Sequence, residues 1–467
     1  MHVLVAGAGV GGLTAALALH ANGITATLVE AVVPRPLGVG INLLPHAVRE
    51  LTELGLGDDL ADLGIPTSQM VHHDRHGGLI WAEPRGTALG YRWPQYSIHR
   101  GELQMALLDA VLERLGEDRV RTGTALVGFE QVGDVVRATL RDRASGAEET
   151  VEADVLVGAD GLHSTVRRTL YPDEGAPIWN GIRMWRGVTP GGPFLDGRTM
   201  LVAGCNATAK LVVYPISARH ERAHGNALLN WVAEVRAPGE TAGKADWNRA
   251  GRLSDLLPHF ADWTWDWLDV PAMLQGTAEI LEYPMVDRDP LPRWTHGRVT
   301  MLGDAAHPMY PIGSNGGSQA VLDARSLAYE LARAGDPDEG LAQYEAARRE
   351  TVNSIVLACR DMPADRVLHT VEQRAPHGFH SIEDVLSPHE LESITAAYRQ
   401  TSFLDVAALN DRPSYTLARI AAPNSAPPEP ESGLAAGSAS PDAGSASADA
   451  GSASAGAGTG PAAPEKS

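Results

Sequence analysis

His2-Val3-Leu4-Val5-Ala6-Gly7-Ala8-Gly9-Val10-Gly11-Gly12 is the stretch that decides the fold of this chain. His2–Ala6 reads as a buried strand, the segment from about Gly11 to Ala21 as a helix, and Thr25–Val29 as a second strand, which together make a βαβ unit. The glycines fit the pattern G-x-G-x-x-G, which is weak by itself. Here it follows a strand and opens a helix, and Glu30 ends the next strand 18 residues after Gly12, the context the pattern requires. Gly7, Gly9, Gly11 and Gly12 let the backbone approach a pyrophosphate at a helix N-terminus, where amide dipoles favour negative charge. Glu30 is placed to accept hydrogen bonds from a ribose and to repel a 2′-phosphate. The competing reading is a glycine-rich packing joint, and the full context favours the dinucleotide. The motif does not separate NAD from FAD.

Working outward, Pro45 sits near the start of a second helix with Val48, Leu51 and Leu54 on one face and Gly55 as its stop. A helix over 101–115 turns Leu103, Leu107, Val111 and Leu115 inward. Leu126–Val132 and Val135–Arg141 alternate around a Gly133-Asp134 turn, and Asp154–Ala159 reads as a buried strand. Between about 178 and 285 longer strands take over (Ile182–Val188, Ala209–Pro215, Ala227–Arg236), the pattern of an antiparallel layer inserted into the first domain. Val299–Leu302 is another buried strand, followed by a loop and a long helix over about 316–334. The expected fold is therefore α/β: a Rossmann-like domain in two parts (1–177 and 286–375), an inserted, mainly antiparallel sheet domain (178–285), a C-terminal helical segment (376–421), and a tail (422–467). The tail is Ala, Gly, Ser and Pro with scattered acids, a composition that does not bury enough surface to offset its ordering entropy.

The 467 residues carry a formal charge of −20, which disfavours nucleic acid and anionic membranes as partners. Lys210, Lys244 and Lys466 are the only lysines, so almost all positive charge is arginine. Two cysteines, Cys205 and Cys359, make neither a disulfide framework nor a zinc cage, and a reducing cytoplasm is the expected location. No apolar run reaches membrane-spanning length.

Two further motifs lie at strand-to-helix turns: Val157-Gly158-Ala159-Asp160-Gly161-Leu162-His163-Ser164-Thr165-Val166-Arg167, and Gly303-Asp304-Ala305-Ala306-His307-Pro308. Both resemble fingerprints of the class A flavoprotein aromatic hydroxylases, the family of para-hydroxybenzoate hydroxylase. Arg100-Gly101-Glu102-Leu103-Gln104 resembles that family's arginine–glutamine pair near the FAD phosphates. Gly38-Val39-Gly40-Ile41-Asn42-Leu43-Leu44-Pro45 and Met309-Tyr310-Pro311-Ile312-Gly313-Ser314-Asn315-Gly316-Gly317-Ser318-Gln319 are most similar to the phenazine and salicylate hydroxylase branch, phenazine hydroxylase above all. The resemblance spans about residues 1–375.

The resemblance implies bound FAD, a visiting NADH or NADPH, and O₂ as co-substrate. Asp304 then binds the FAD ribose, Asp160 serves both FAD and the nicotinamide, Arg100 and Gln104 lie near the phosphates, and Leu126 touches the adenine. Gly313, Asn315 and Gly316 present backbone N–H groups to the flavin pyrimidine edge, which favours an anionic reduced ring. Gly40 and Ile41 flank a ring that moves, and Pro311, beside Tyr310, faces the substrate. The implied reaction is hydroxylation of an aromatic or heteroaromatic acid through a flavin hydroperoxide, with or without loss of the carboxylate. Trp185, Arg186, Tyr214 and Asn230 are substrate-pocket candidates by position and chemistry, with sheet packing the competing reading for each. His307 reads as a loop residue rather than a catalyst.

Other readings stay open. N-oxidation, epoxidation or Baeyer–Villiger insertion on a polycyclic metabolite keeps the flavin and changes the oxygen's target. A non-catalytic flavin-binding module keeps only the cofactor. Trp263-Thr264-Trp265-Asp266-Trp267 resembles the tryptophan motif of flavin-dependent halogenases without its Ile-Pro ending, but residues 1–209 hold no lysine to handle hypohalous acid, so these tryptophans are expected to pack at a helix. A disulfide reductase is disfavoured by the lack of a second G-x-G-x-x-G after a strand. The partner is a small molecule, and a monomer and a homodimer are equally compatible with the sequence.

Overall fold

A computed structural model describes residues 1–239, 249–393 and 405–417. Lys244 and the 422–467 tail lie outside the described residues. A five-stranded parallel sheet runs in the order Val299–Met301, Val155–Gly158, His2–Ala6, Thr25–Glu30, Val120–Thr122. Its strands are nearly continuous apolar runs because helices cover the sheet. Val10–Ala21 packs against both Arg100–Leu115 and Asn315–Ala334, and Asn315–Ala334 packs in turn against Pro337–Asp361. The hairpin expected around Gly133 is present, with Gly133 at φ +59° and Val132 paired with Val135. Glu148–Ala153 adds a third strand to it.

A second, seven-stranded sheet runs in the order Leu281–Asp287, Ile178–Gly191, Ala227–Arg236, Ala209–Ile216, Thr199–Gly204, Gln69–His73, Leu79–Pro84. Every neighbouring pair is antiparallel except Thr199–Gly204 with Gln69–His73. The strands from about 178 onward match the long strands read from the sequence. The last two strands of that order, within 69–84, come from a stretch the sequence places in the first part of the cofactor domain. Side chains alternate between faces along each strand. One face buries Trp185, Leu201, Leu211, Val213 and Trp231 against Phe260, Trp263 and Met273. The other carries Arg186, Lys210, Val212, Tyr214, Asn230 and Val232, aligned across the strands by register, and faces the cofactor half. The tryptophan segment contains a short antiparallel pair, Thr264–Trp265 with Leu268–Asp269, and Trp263 and Trp265 share a core cluster with Val270, Met273 and Leu274 of the helix Val270–Gln275. The segment's rings stack on one another, with Trp265 and Trp267 centroids 4.8 Å apart, and aromatic packing holds it.

Residues 405–417 are strapped across the rear of the cofactor half by arginines. Fully buried Arg325 donates to Glu50 (3.0 Å), Glu53 (3.1 Å) and the Thr416 hydroxyl (2.9 Å). Arg412 joins Glu50, and Arg49 donates to the Leu409 carbonyl. Among the described residues no helix is long and apolar enough to cross a membrane.

The first glycine turn is sterically locked. A Cβ at Gly12 would lie 1.9 Å from the Gly7 carbonyl oxygen, and one at Gly7, whose φ is +111°, would lie 2.2 Å from the Ala159 carbonyl oxygen. Because the obstructing atom at Gly12 is backbone, Gly12→Ala should cost at least about 1–3 kcal/mol in denaturant unfolding. An unchanged midpoint would contradict this packing.

Candidate active site

Two helix N-termini open on the same side of the parallel sheet. Val10–Ala21 starts at Gly9 without a side-chain cap, and a Cβ at Gly9 would meet nothing within 4 Å. Asn315–Ala334 starts at Ser314, φ +59°, again without a side-chain cap, and a Cβ at Gly316 would also meet nothing. Uncapped amides facing open space are what a dinucleotide's phosphates and a flavin's pyrimidine edge require.

Around them stand the polar residues singled out by sequence. Glu30 accepts the Ala8 amide (2.7 Å) and the Val32 amide (3.0 Å), closing the loop after its strand, and its remaining lone pairs are available to a ribose. Gln104 donates to the Ala8 carbonyl at 2.7 Å. The Arg100 guanidinium is exposed and makes no hydrogen bond among the described residues. Asp304 opens to solvent, yet protein walls it on its other sides. That crowding pushes its carboxyl up, against the pull of His307 and Arg100. An exposed carboxylate and an exposed guanidinium, together with two uncapped helix ends, fit FAD well.

Other expected residues turn inward. One Asp160 oxygen accepts the amides of Thr165 (2.7 Å) and Val166 (3.3 Å), so it fixes the turn into that helix. Leu126 is only 8% exposed, within the main core. Asn315 is buried and accepts from Gln319 at 3.3 Å. It ends a chain of contacts: His307 Nε2 lies 2.5 Å from Asp323, Asp323 accepts from Arg348 at 2.9 Å, and Arg348 donates to Gln319 at 2.7 Å. Asp323 also accepts the Gly303 amide at 3.1 Å. Although burial opposes it, His307 and Arg348 hold the Asp323 carboxyl below its usual range. The Gly-Asp loop and the start of the long helix are thus one hydrogen-bonded unit, and His307 is a structural member of it.

The two halves meet at Gly40. Its amide donates to Asn230 Oδ1 (2.7 Å), and its carbonyl accepts from Arg186 (2.7 Å) and from the Tyr214 hydroxyl (3.0 Å). A Cβ there would lie 2.8 Å from Ile216 and 2.9 Å from Asn230, so glycine is obligatory. Just beyond it, the Leu44 amide donates to Ser318 (3.0 Å), and the Ile41 side chain reaches to within 3.6 Å of the space beside Gly317. Arg186, Tyr214 and Asn230 share the expected face of the sheet, but the group they hold is backbone. Arg186 also donates to the Tyr283 hydroxyl at 2.7 Å.

A cavity of about 80 Å³ lies between this sheet face, the loop Pro311–Ser314, and the helix that begins at Pro363. Met70, Met200, Val202 and Val212 give it an apolar floor. Lys210, Glu234 and Asp365 form one polar end, and His72, Arg85 and Gln95 another. Pro311 lines the cavity as expected. Two other expectations are corrected. Trp185 lies on the opposite face of the sheet, in the tryptophan core, because successive strand residues alternate and Arg186 already faces the site. Tyr310 is buried among Ile182, Met184 and Met285, its hydroxyl proton held up to about 12 by burial and by Asp287. Sequence reasoning missed Lys210, Glu234 and Asp365. The available signal was a lone lysine at the start of a strand, two residues from Val212 and four from Tyr214.

Comparison with known proteins agrees with this geometry. Residues 1–179 and 280–358 match the family model described as FAD binding domain. The chain is 52% identical over 373 residues to phenazine 1,6-dicarboxylic acid hydroxylase PhzS of Lysobacter antibioticus, covering 79% of this chain and 91% of that one. It is 32% identical to 3-hydroxybenzoate 6-hydroxylase 1 of Aquipseudomonas alcaligenes, covering 74% and 84%. Among solved structures, Klebsiella pneumoniae HpxO complexed with FAD and uric acid superposes with a TM-score of 0.64 at 24% identity, over 88% of this chain and 96% of that one, a likeness of fold. The chain belongs to the FAD-binding class A flavoprotein monooxygenases. It is an FAD-dependent aromatic hydroxylase.

Arg348→Met would leave Asp323 buried with one partner fewer. Removing one member of a buried ion pair costs about 3–5 kcal/mol, so a loss of that order is expected in chemical denaturation. A loss under about 1 kcal/mol would show that the network does not brace the site.

Proposed function

We propose that this enzyme uses NADH or NADPH and O₂ to hydroxylate a planar heteroaromatic acid of the phenazine-carboxylate type, with the hydroxyl replacing the carboxylate. The observation that carries the reading is the cavity itself. It joins the Pro311–Ser314 loop to an apolar thioether and aliphatic floor with charged residues beside it, a chemistry suited to an aromatic ring bearing an acid. The 52% identity to a phenazine 1,6-dicarboxylic acid hydroxylase supports it. The overall balance is one aromatic carboxylic acid, one NAD(P)H, one proton and one O₂ giving the phenol, CO₂, NAD(P)⁺ and water.

Gly7, Gly9, Gly12 and the Val10 helix end would hold the FAD pyrophosphate, Glu30 and Asp304 its hydroxyls, Arg100 its phosphate charge, and Gly313 to Gly316 the flavin edge. Bound FAD supplies hydride acceptance and oxygen activation, chemistry that no side chain here provides. The protein's own work is positioning and exclusion of water. The Gly40 clamp fixes the strand beside the flavin site, the uncapped amides at Asn315 favour negative charge there, and the closed apolar floor keeps water from the reacting carbon. Pro311 offers a rigid loop edge to the substrate.

The division into a two-part cofactor domain and a sheet domain, a cytoplasmic location, and a monomeric or homodimeric state belong to the same proposal. Its test is NADH and NADPH oxidation by FAD-saturated enzyme with phenazine-1-carboxylate and salicylate, with product mass. A product that has lost CO₂ and gained one oxygen is expected. A product that keeps its carboxylate and gains one oxygen would replace decarboxylative hydroxylation with simple hydroxylation or N-oxidation. No substrate-stimulated oxidation across a broad panel of aromatic acids would refute the reading.

A further inference from the structure

We infer that Lys210 is the specificity-determining residue of this pocket, an uncommitted N–H donating to a carboxylate carried by the substrate ring. This rests on the reading under Proposed function and adds the residue that recognises the acid. An ammonium has three N–H donors. Among the described residues two anions face it: Asp365, which accepts an N–H at 3.0 Å, and Glu234, ion-paired at 2.8 Å. Asp365 is itself anchored by the Asn206 amide at 3.0 Å. The side chain is 6% exposed and lines the cavity beside the apolar floor, so its third donor has no bulk water to satisfy it. Burial alone would discharge the group, but Asp365 and Glu234 outweigh it and keep the ammonium charged.

The other end of the cavity is less suited to an anion. Arg85 is already paired with Glu83 at 2.7 Å. His72 stacks on Trp81 with centroids 3.4 Å apart, and burial, with Arg85 and Lys210 nearby, holds it well below the usual histidine range and so uncharged. Choice of residue points the same way. Lys210 is the only lysine among the described residues of a chain that otherwise uses arginine. A compact point charge fits a corner between two strands and a helix where a planar fork does not.

The arrangement carries a sign that simple packing lacks. Glu234 competes with the substrate for the ammonium, and burial, opposed by Lys210, pushes its carboxyl up. Weakening Glu234 should therefore tighten the binding of an anion.

The test is equilibrium binding of phenazine-1-carboxylate and of unsubstituted phenazine to the FAD-loaded protein, read by the flavin absorbance change. Lys210→Met should weaken the carboxylate about tenfold or more, the range for a lost charge-assisted hydrogen bond, and leave phenazine within about threefold. Glu234→Gln should strengthen the carboxylate several-fold with phenazine unchanged. Equal effects on both ligands, or none on the carboxylate, would overturn the assignment. If Lys210→Met does not retain FAD, Glu234→Gln decides alone, and unchanged or weaker carboxylate binding refutes the inference. Wild-type protein that binds neither ligand refutes the phenazine reading and the inference with it. Wild-type binding of both with no discrimination by either variant refutes the inference alone.

Discussion

The backbone of Gly40 is the joint on which the arrangement depends. Its amide and carbonyl are both taken by side chains of the large sheet, Asn230 on one side and Arg186 and Tyr214 on the other. Two layers of different construction, a parallel sheet under helices and a mainly antiparallel sheet backed by tryptophans, are joined here through the two peptide groups that flank one Cα. Buried backbone groups must find partners, and here the partners come from the other half of the molecule. Leu44, next after the clamped strand Gly40–Leu43, lines the same cavity as the Pro311–Ser314 loop and the sheet face.

Much of this was legible in the sequence, for a definite reason. A glycine turn between a buried strand and a helix is a local event, and its signals sit within a dozen residues. The glycine-bearing turns and the long strands after 178 therefore lie where local pattern put them, in the parallel sheet and in the large sheet. What escaped needed pairing over a distance. Gln69–His73 joins the large sheet through a parallel register with Thr199–Gly204, and nothing near residue 70 announces that neighbour. The Lys210 cluster depends on Asp365, 155 residues away. Trp185 and Arg186 were both plausible site residues by type, but adjacent strand positions point to opposite faces, so they were exclusive alternatives. Arg186, Tyr214 and Asn230 share one face of the sheet, and there they grip the Gly40 backbone.

The chemistry expected of the fold asks little of side chains as acids or bases. The protein's polar investment goes into bracing. His307, Asp323, Arg348 and Gln319 tie the Gly-Asp loop to Asn315, and Arg325 ties Glu50 and Glu53 to the strap at 405–417. Arginine dominates these joints because its fork serves several acceptors in fixed directions. The one place among the described residues where a lysine is used instead is the cavity.

The strand order of the parallel sheet also has a consequence for how the chain is made. His2–Ala6 is central, yet one neighbour, Val155–Gly158, is synthesised about 150 residues later, and the edge strand Val299–Met301 later still. The helix Asn315–Ala334, which covers Val10–Ala21, comes after that. A nascent chain emerging from the ribosome must therefore carry its glycine turn and apolar first strand without their final cover through most of translation. Such non-local closure makes folding slow and exposes strand edges to other chains. The dinucleotide turn, the first element to be read in the sequence, is among the last to be completed in the protein.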